Sequence, residues 1–220
     1  MTKPKPLVGF IGCKRSGKET AARPLIQRHG YRHAAYADPL REFLAASNPI
    51  VGHELDGPYK VRPVHWNEAL DALGYELAKD RYPEFRRIME KVGTEGVRDK
   101  LGVDWGLEEL LGLSPWVAIA DLRLEKAKAY AEWKHEPGRW VHHWRELLAF
   151  ADVRFPNEAD LIRDRGGILI RVTRASLPPL PPDAHLSETA LVDYRADYTL
   201  ANDGSIDDLN AAVDALISKL

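Results

Sequence analysis

The chain has 220 residues, 45% apolar and 29% charged, with a formal net charge of −2 and one cysteine, Cys13. That composition excludes a disulfide framework, a cysteine-rich zinc site and a generally basic nucleic-acid binder, and it predicts one globular domain in a reducing compartment. No apolar run has the roughly 20 residues of a membrane span, and the Lys- and Pro-containing N-terminus leads into no signal-like segment. The expectation is a cytoplasmic protein with neither membrane nor nucleic acid as partner.

Residues 7–12 predict a first strand, Leu7-Val8-Gly9-Phe10-Ile11, running into Gly12-Cys-Lys14-Arg-Ser16-Gly17-Lys18-Glu19-Thr20. A helix is predicted over 18–29 and stopped by Gly30. Strand, glycine-rich turn and helix is the context of a phosphate-binding loop. Glycines at both ends let successive N–H groups converge, and the helix adds unpaired donors and its positive dipole end. Lys18 then reaches the β and γ phosphates. The usual hydroxyl after the lysine is displaced by one place to Thr20, near enough for a magnesium ion or a phosphate oxygen. Glu19 is expected solvated beside it, and Cys13 as a packed neutral thiol.

A second strand is predicted at 33–37, and a helix from Asp38-Pro39 to Ala46, because Asp followed by Pro is a good helix start. Residues 47–63 read as a loop. The spacing of Trp66, Ala69, Leu70, Leu73 and Leu77 predicts a helix, and another spans 83–92. Gly93-Thr94-Glu95-Gly96 is expected to break the chain, with Thr94 capping a short helix that carries Arg98. Residues 121–135 and 139–147 read as helices on either side of Pro137-Gly138. The apolar run 147–152 predicts a buried central strand ending in Asp152. A helix over 157–165, a strand over 168–173, a proline-rich loop, a short helix after His185, a strand over 198–202 and a helix over 206–220 complete the chain. Alternating strands and helices imply an open α/β sheet with ligands at the carboxyl ends of its strands.

Asp38 and Asp152 each follow a strand. A carboxylate at Asp152 suits holding a water on magnesium or positioning a substrate group. Arg41, Arg98 and Arg154 lie at strand ends or helix starts and suit a phosphate monoester. Arg174 and Arg195 flank the proline-rich loop. Of the six tryptophans most are expected in the core, leaving one such as Trp105 to stack on a base. Asn202-Asp203-Gly204-Ser205 is either a nucleotide-base contact or a plain turn. His185, Ser187 and Glu188 resemble a hydrolytic triad only superficially, since no nucleophile elbow accompanies them.

Together these motifs (Gly12 to Thr20; Ala37-Asp38-Pro39-Leu40-Arg41; Gly93-Thr94-Glu95 with Arg98; Asp152-Val-Arg154-Phe-Pro-Asn-Glu158; His185-Leu-Ser-Glu188) resemble the bacteriophage deoxynucleoside monophosphate kinases, in order and over most of the chain. The resemblance implies a P-loop NTPase fold: a three-layer α/β/α sandwich with a mostly parallel sheet and a helical insert between strands two and three. Residues 1–220 would form one kinase domain, with 42–146 a largely helical monophosphate-binding insert and 175–190 a short lid. The implied reaction is magnesium-assisted transfer of the ATP γ-phosphoryl group to a deoxynucleoside 5′-monophosphate. Gly12, Lys14, Ser16, Gly17, Lys18, Glu19, Thr20, Asn202 and Gly204 would hold ATP. Asp38, Arg41, Arg98, Trp105, Arg154, His185 and Glu188 would surround the acceptor, Lys18, Arg41, Asp152 and Arg154 would serve the transfer, and Thr20 and Asp152 the metal. The resemblance also allows a homodimer. Alternatives are a P-loop kinase for another metabolite, such as dephospho-coenzyme A, or a nucleotide-binding protein without catalysis.

Overall fold

The computed structural model describes residues 6–129, 133–136, 139–142, 147–184 and 186–220, with backbone alone where these fall within 126–146. The chain forms two compact units, Met1–Tyr36 with Ile119–Leu220, and Ala37–Ala118.

The first unit is built on a sheet of strands β1 (Val8–Ile11), β2 (Arg32–Ala34), β7 (Leu148–Phe150), β8 (Ile168–Thr173) and β9 (Tyr198–Ala201). Their order is β2-β7-β1-β8-β9, and every pairing is parallel. Side chains alternate across it. Val8 and Phe10 join Ala149, Ile170, Val172 and Leu200 in one core, with Ala21, Ala22 and Leu25 of α1 (Lys18–Arg28) and Leu209, Val213 and Ile217 of α9 (Ile206–Ile217). On the other face lies α7 (Pro156–Asp164). There Gly9 has a packing reason: a Cβ would stand 2.4 Å from Ile162 Cδ1 and 2.9 Å from Leu169 Cδ2. The result is a three-layer α/β/α unit with a parallel sheet, as the alternation predicts. Its central strand leads straight into the glycine loop.

The second unit holds α2 (Asp38–Ser47), a hairpin of β3 (Ile50–Leu55) and β4 (Val61–His65), α3 (Trp66–Arg81), α4 (Pro83–Glu90), a π-helical stretch Lys91–Asp104, α5 (Leu107–Leu111) and the start of α6 (Pro115–Ala129). Trp66 stacks on Phe85 at 3.7 Å between ring centroids, and Tyr75 meets Phe85 edge-on. Trp66 and Trp116 are core residues, as their aromatic bulk suggests.

Three expectations fail in this unit and just beyond it. Residues 47–63, expected as a loop, contain most of the β3–β4 hairpin, whose strands place Val51 and Val64 in the core and Leu55 and Val61 outside. The turn glycine and prolines hid this short alternation. Gly93–Gly96 does not break the chain, and Thr94 caps nothing: the helix continues in π form, Trp105 N–H donating to Lys100 O. Gly93 instead lets Leu40 approach, a Cβ falling 2.6 Å from Leu40 Cδ2, and its carbonyl accepts from Trp116 Nε1 at 2.8 Å. Packing thus outweighs the ~1 kcal/mol propensity cost of a helical glycine. Finally, the helices expected over 121–135 and 139–147 give way to α6 ending at Ala129 and an antiparallel pair, β5 (Trp133–Glu136) and β6 (Arg139–His142). Pro137-Gly138 was read as a helix break, but the segments it separates are hairpin strands. The stretch 42–146 is therefore not purely helical. His143 and Trp144 lie outside the described residues.

Long-range ion pairs join the two helices on one face of the sheet. Arg28 and His29, at the end of α1, bind Asp214 of α9 at 2.8 Å each. The His29 hydrogen bond, followed by Arg28, holds the Asp214 carboxyl below its ordinary 3.8. A depressed carboxyl stabilises the fold above its unfolded pKa, and that contribution is lost as pH falls through the folded value. Asp214→Asn should therefore lower the melting temperature at pH 7 and flatten its fall below about pH 4. Melting curves from pH 2.5 to 7 check this.

Candidate active site

The loop between β1 and α1 carries three positive φ angles: Gly12 at 142°, Arg15 at 65° and Gly17 at 101°. Only the glycines meet a wall. A Cβ on Gly12 would lie 2.4 Å from Val172 O, and one on Gly17 2.3 Å from Asn202 Nδ2. Asn202, at the end of β9, donates from that Nδ2 to Ser16 O at 2.8 Å. The loop is thus pinned from β9, far away in sequence. Ser16 is 1% exposed, and its Oγ has no hydrogen-bond partner among the described residues. Leaving a buried hydroxyl unpaired costs about 1–3 kcal/mol. Together with the first-turn N–H groups of α1, that donor makes a cradle whose geometry suits an anion's oxygens.

Lys18 Nζ donates to Gly12 O (2.6 Å) and Cys13 O (2.9 Å), folded back over the loop it follows. Burial lowers its pKa from 10.5; the Arg154 cation lowers it further, while Glu188 acts in the opposite sense. Lys18, Arg154 and Glu188 are thereby brought into one electrostatic neighbourhood. Glu188, on α8 (Leu186–Thr189), accepts the Lys14 backbone N–H at 2.9 Å. The segment after α8 is held by Arg171 of β8, whose Nη2 donates to Leu191 O and Tyr194 O.

The backbone at Arg154 is fixed by its neighbours. The Glu158 carboxylate, 3% exposed, accepts from the Arg154 N–H at 2.7 Å and the Phe155 N–H at 3.2 Å. The Glu158 carbonyl accepts from Tyr36 Oη at 2.7 Å, and Tyr36 N–H donates to Asp152 Oδ1 at 3.0 Å. Burial, then Glu158 and Asp152, push the Tyr36 phenol far up, so it stays a neutral donor. Asp152 therefore stands beyond the end of β7, as expected, with one oxygen engaged by the chain's own backbone.

Other expectations turn out more local. Glu19 is exposed but faces His33 of β2 at 3.5 Å. Gly204 is explained by the α9 cap, since a Cβ there would meet Asp208 Oδ2 at 2.7 Å, and Ser205 and Asp208 exchange hydrogen bonds. Asp203 Oδ1 accepts from Ala175 N–H at 2.6 Å, anchoring the start of the proline-rich loop. Thr20 lies in the first turn of α1. His185 lies outside the described residues.

In the second unit, Ala37 rather than Asp38 is the N-cap of α2; Asp38 instead binds Arg41 Nη1 at 3.1 Å. The Arg41 guanidinium lies 4.5 Å from the Tyr75 ring centroid, worth about 0.5–1 kcal/mol at a partly exposed site. Tyr75 directly follows Gly74, whose φ of 71° breaks the regular helix of α3. Arg98 is half-buried on the π-helical stretch, and Trp105 at its end is 76% exposed.

Against known proteins, no family profile matches the chain. It is 28% identical, over 213 residues covering 94% of this chain and 93% of the relative, to a protein of Acanthamoeba polyphaga mimivirus named "Putative deoxynucleotide monophosphate kinase". The similarity supports a kinase relationship without the bacteriophage qualifier. Among solved structures it is similar to TT1252 from Thermus thermophilus, at 17% identity, a TM-score of 0.42 and 99% coverage of both chains.

Two residues with clear positional roles were missing from the expected site. The sequence signal of Glu158 is a carboxylate at the third position of a helix begun by Pro156. Tyr36 carries no sequence signal, because its partners come from β7 and α7. Glu158→Ala should destabilise the protein by about 1–3 kcal/mol, since two backbone donors lose their acceptor. Urea denaturation reads this, and an unchanged midpoint would contradict the role given to the carboxylate.

Proposed function

We propose that this protein transfers the γ-phosphoryl group of ATP to a deoxynucleoside 5′-monophosphate. The observation that carries the reading is the Gly12–Thr20 cradle, with a buried unpartnered hydroxyl and two cations, Lys18 and Arg154, beside it. The mimivirus relative's name supplies the substrate class.

The loop suits a polyphosphate because one of its N–H groups already holds a carboxylate oxygen and a buried hydroxyl stands beside it. Thr20 and Asp152 are the residues that would hold magnesium arriving with the phosphates, where it would neutralise charge on the transferred group. One carboxylate and one hydroxyl suit that ion, which usually keeps waters and phosphate ligands.

Lys18 exchanges its loop carbonyls for phosphate oxygens. Arg154, its backbone fixed by Glu158, presents a planar fork to the acceptor phosphate. Asp38, Arg41 and Arg98 take the acceptor's phosphate and sugar, with Tyr75 holding the Arg41 guanidinium in one orientation. Trp105 offers a face for the base. A phosphate acceptor is already anionic near neutral pH, so no strong base is needed. Positioning and charge do the rest.

With Mg-ATP, ADP should form only when a deoxynucleoside monophosphate is present. Coupled ADP release across dTMP, dGMP, dCMP, dAMP and dUMP tests this, and equal rates with and without every acceptor would refute it. Lys18→Ala should cut kcat by about 10²-fold or more with little change in the unfolding midpoint. Because burial and Arg154 lower the Lys18 pKa, kcat/KM should decline on the alkaline side at a pH below 10.5. A profile flat to pH 10.5 would contradict that assignment.

A further inference from the structure

The loop's anion cradle is already engaged by an anion from the chain itself. Glu188 Oε2 accepts the Lys14 N–H at 2.9 Å, and its charge is felt at the Lys18 ammonium. Lys18, for its part, is turned inward onto Gly12 O and Cys13 O. A phosphate oxygen entering a nest of this kind uses the same class of donors, backbone N–H groups and the lysine ammonium. It cannot share the Lys14 N–H with a full carboxylate without like-charge repulsion, which at a few ångströms outweighs one hydrogen bond unless screened.

Glu188 sits on a helix of four residues, too short to hold its own position. Its C-terminal side is anchored, by Arg171 to Leu191 O and Tyr194 O, and by Asp197 Oδ2 accepting from Leu169 N–H at 2.8 Å. On the other side, Ala175 N–H donates to Asp203 Oδ1 at 2.6 Å. Glu188 lies outside the sheet strands, so its hydrogen bond to Lys14 can break without opening a strand pairing.

From this we infer that Glu188 is an internal stand-in for a donor phosphate oxygen, and that polyphosphate binding displaces it from the loop and releases α8. The inference rests on the nucleotide-binding reading of the loop and gives that site a built-in competitor. Glu188 then has a role opposite to that of a substrate-binding residue: it lowers affinity for the donor and couples donor binding to movement of the segment bearing it.

Titration of the full-length protein with inorganic tripolyphosphate and with Mg-ATP, by calorimetry, tests the competition. Glu188→Ala should bind both about tenfold more tightly than wild type, the scale of one lost charge-assisted hydrogen bond. Glu188→Gln keeps the size and removes the charge, and should shift affinity in the same direction by a smaller factor. Hydrogen exchange gives a readout independent of nucleotide: the Lys14 amide should be protected in free wild-type protein and exchange faster in both variants. Equal or weaker polyphosphate binding by the variants overturns the inference, as does an unprotected Lys14 amide in wild type. If the variants bind tripolyphosphate more tightly but no deoxynucleoside monophosphate promotes ADP formation, the kinase reading fails and the inference stands. If acceptor-dependent ADP formation is seen while the variants bind no better than wild type, the reverse holds. Absence of polyphosphate binding in every variant removes both.

Discussion

The packing of the Gly12–Gly17 loop against the ends of β8 and β9 is the constraint on which the first unit's chemistry depends. Val172 O stands where a side chain at position 12 would go, and Asn202 Nδ2 where one at position 17 would go. Left-handed backbone alone would make glycine preferable by about 1 kcal/mol. An overlap with backbone oxygen, which has nowhere to move, makes it obligatory. The same contacts fix where the first turn of α1 points, and therefore where its free donors and Lys18 lie.

Around that loop, opposing charges act on Lys18. Burial and Arg154 both act to discharge Lys18; Glu188 and the loop carbonyls oppose them. Glu158 is the buried counterpart on the opposite side of the sheet. An ionised carboxylate so enclosed is costly unless hydrogen-bonded, and here two N–H groups from the start of α7 meet it. Its role is geometric: it closes the turn that presents Arg154.

The second unit solves a related problem with aromatics. Trp66, Phe85 and Tyr75 pack in series, and Arg41 and Lys79 lie against the Tyr75 ring at 4.5 and 4.6 Å. The break at Gly74 ends the regular helical path just before Tyr75, so the ring's placement owes as much to backbone freedom as to hydrophobic packing.

From the sequence alone, the strand, glycine-rich turn and helix at 7–28, the parallel α/β alternation and the strand-end position of Asp152 were legible, because each rests on local spacing and period. The β3–β4 and β5–β6 hairpins were not, since short strands beside Gly and Pro look like loops or broken helices until their partners are known. Nor were the roles of Gly9, Tyr36, Asn202 and Glu188. Gly9 matters because Ile162 comes down on it, Asn202 because it reaches Ser16 across 186 positions, and Glu188 because α8 carries it to Lys14. Local chemistry thus determined that the first strand runs through a glycine-rich turn into a helix. Which residues hold that loop, aim its cations and occupy its donors was decided only by tertiary structure, because hydrogen bonds and van der Waals exclusion act over a few ångströms of space and carry no signature in sequence distance.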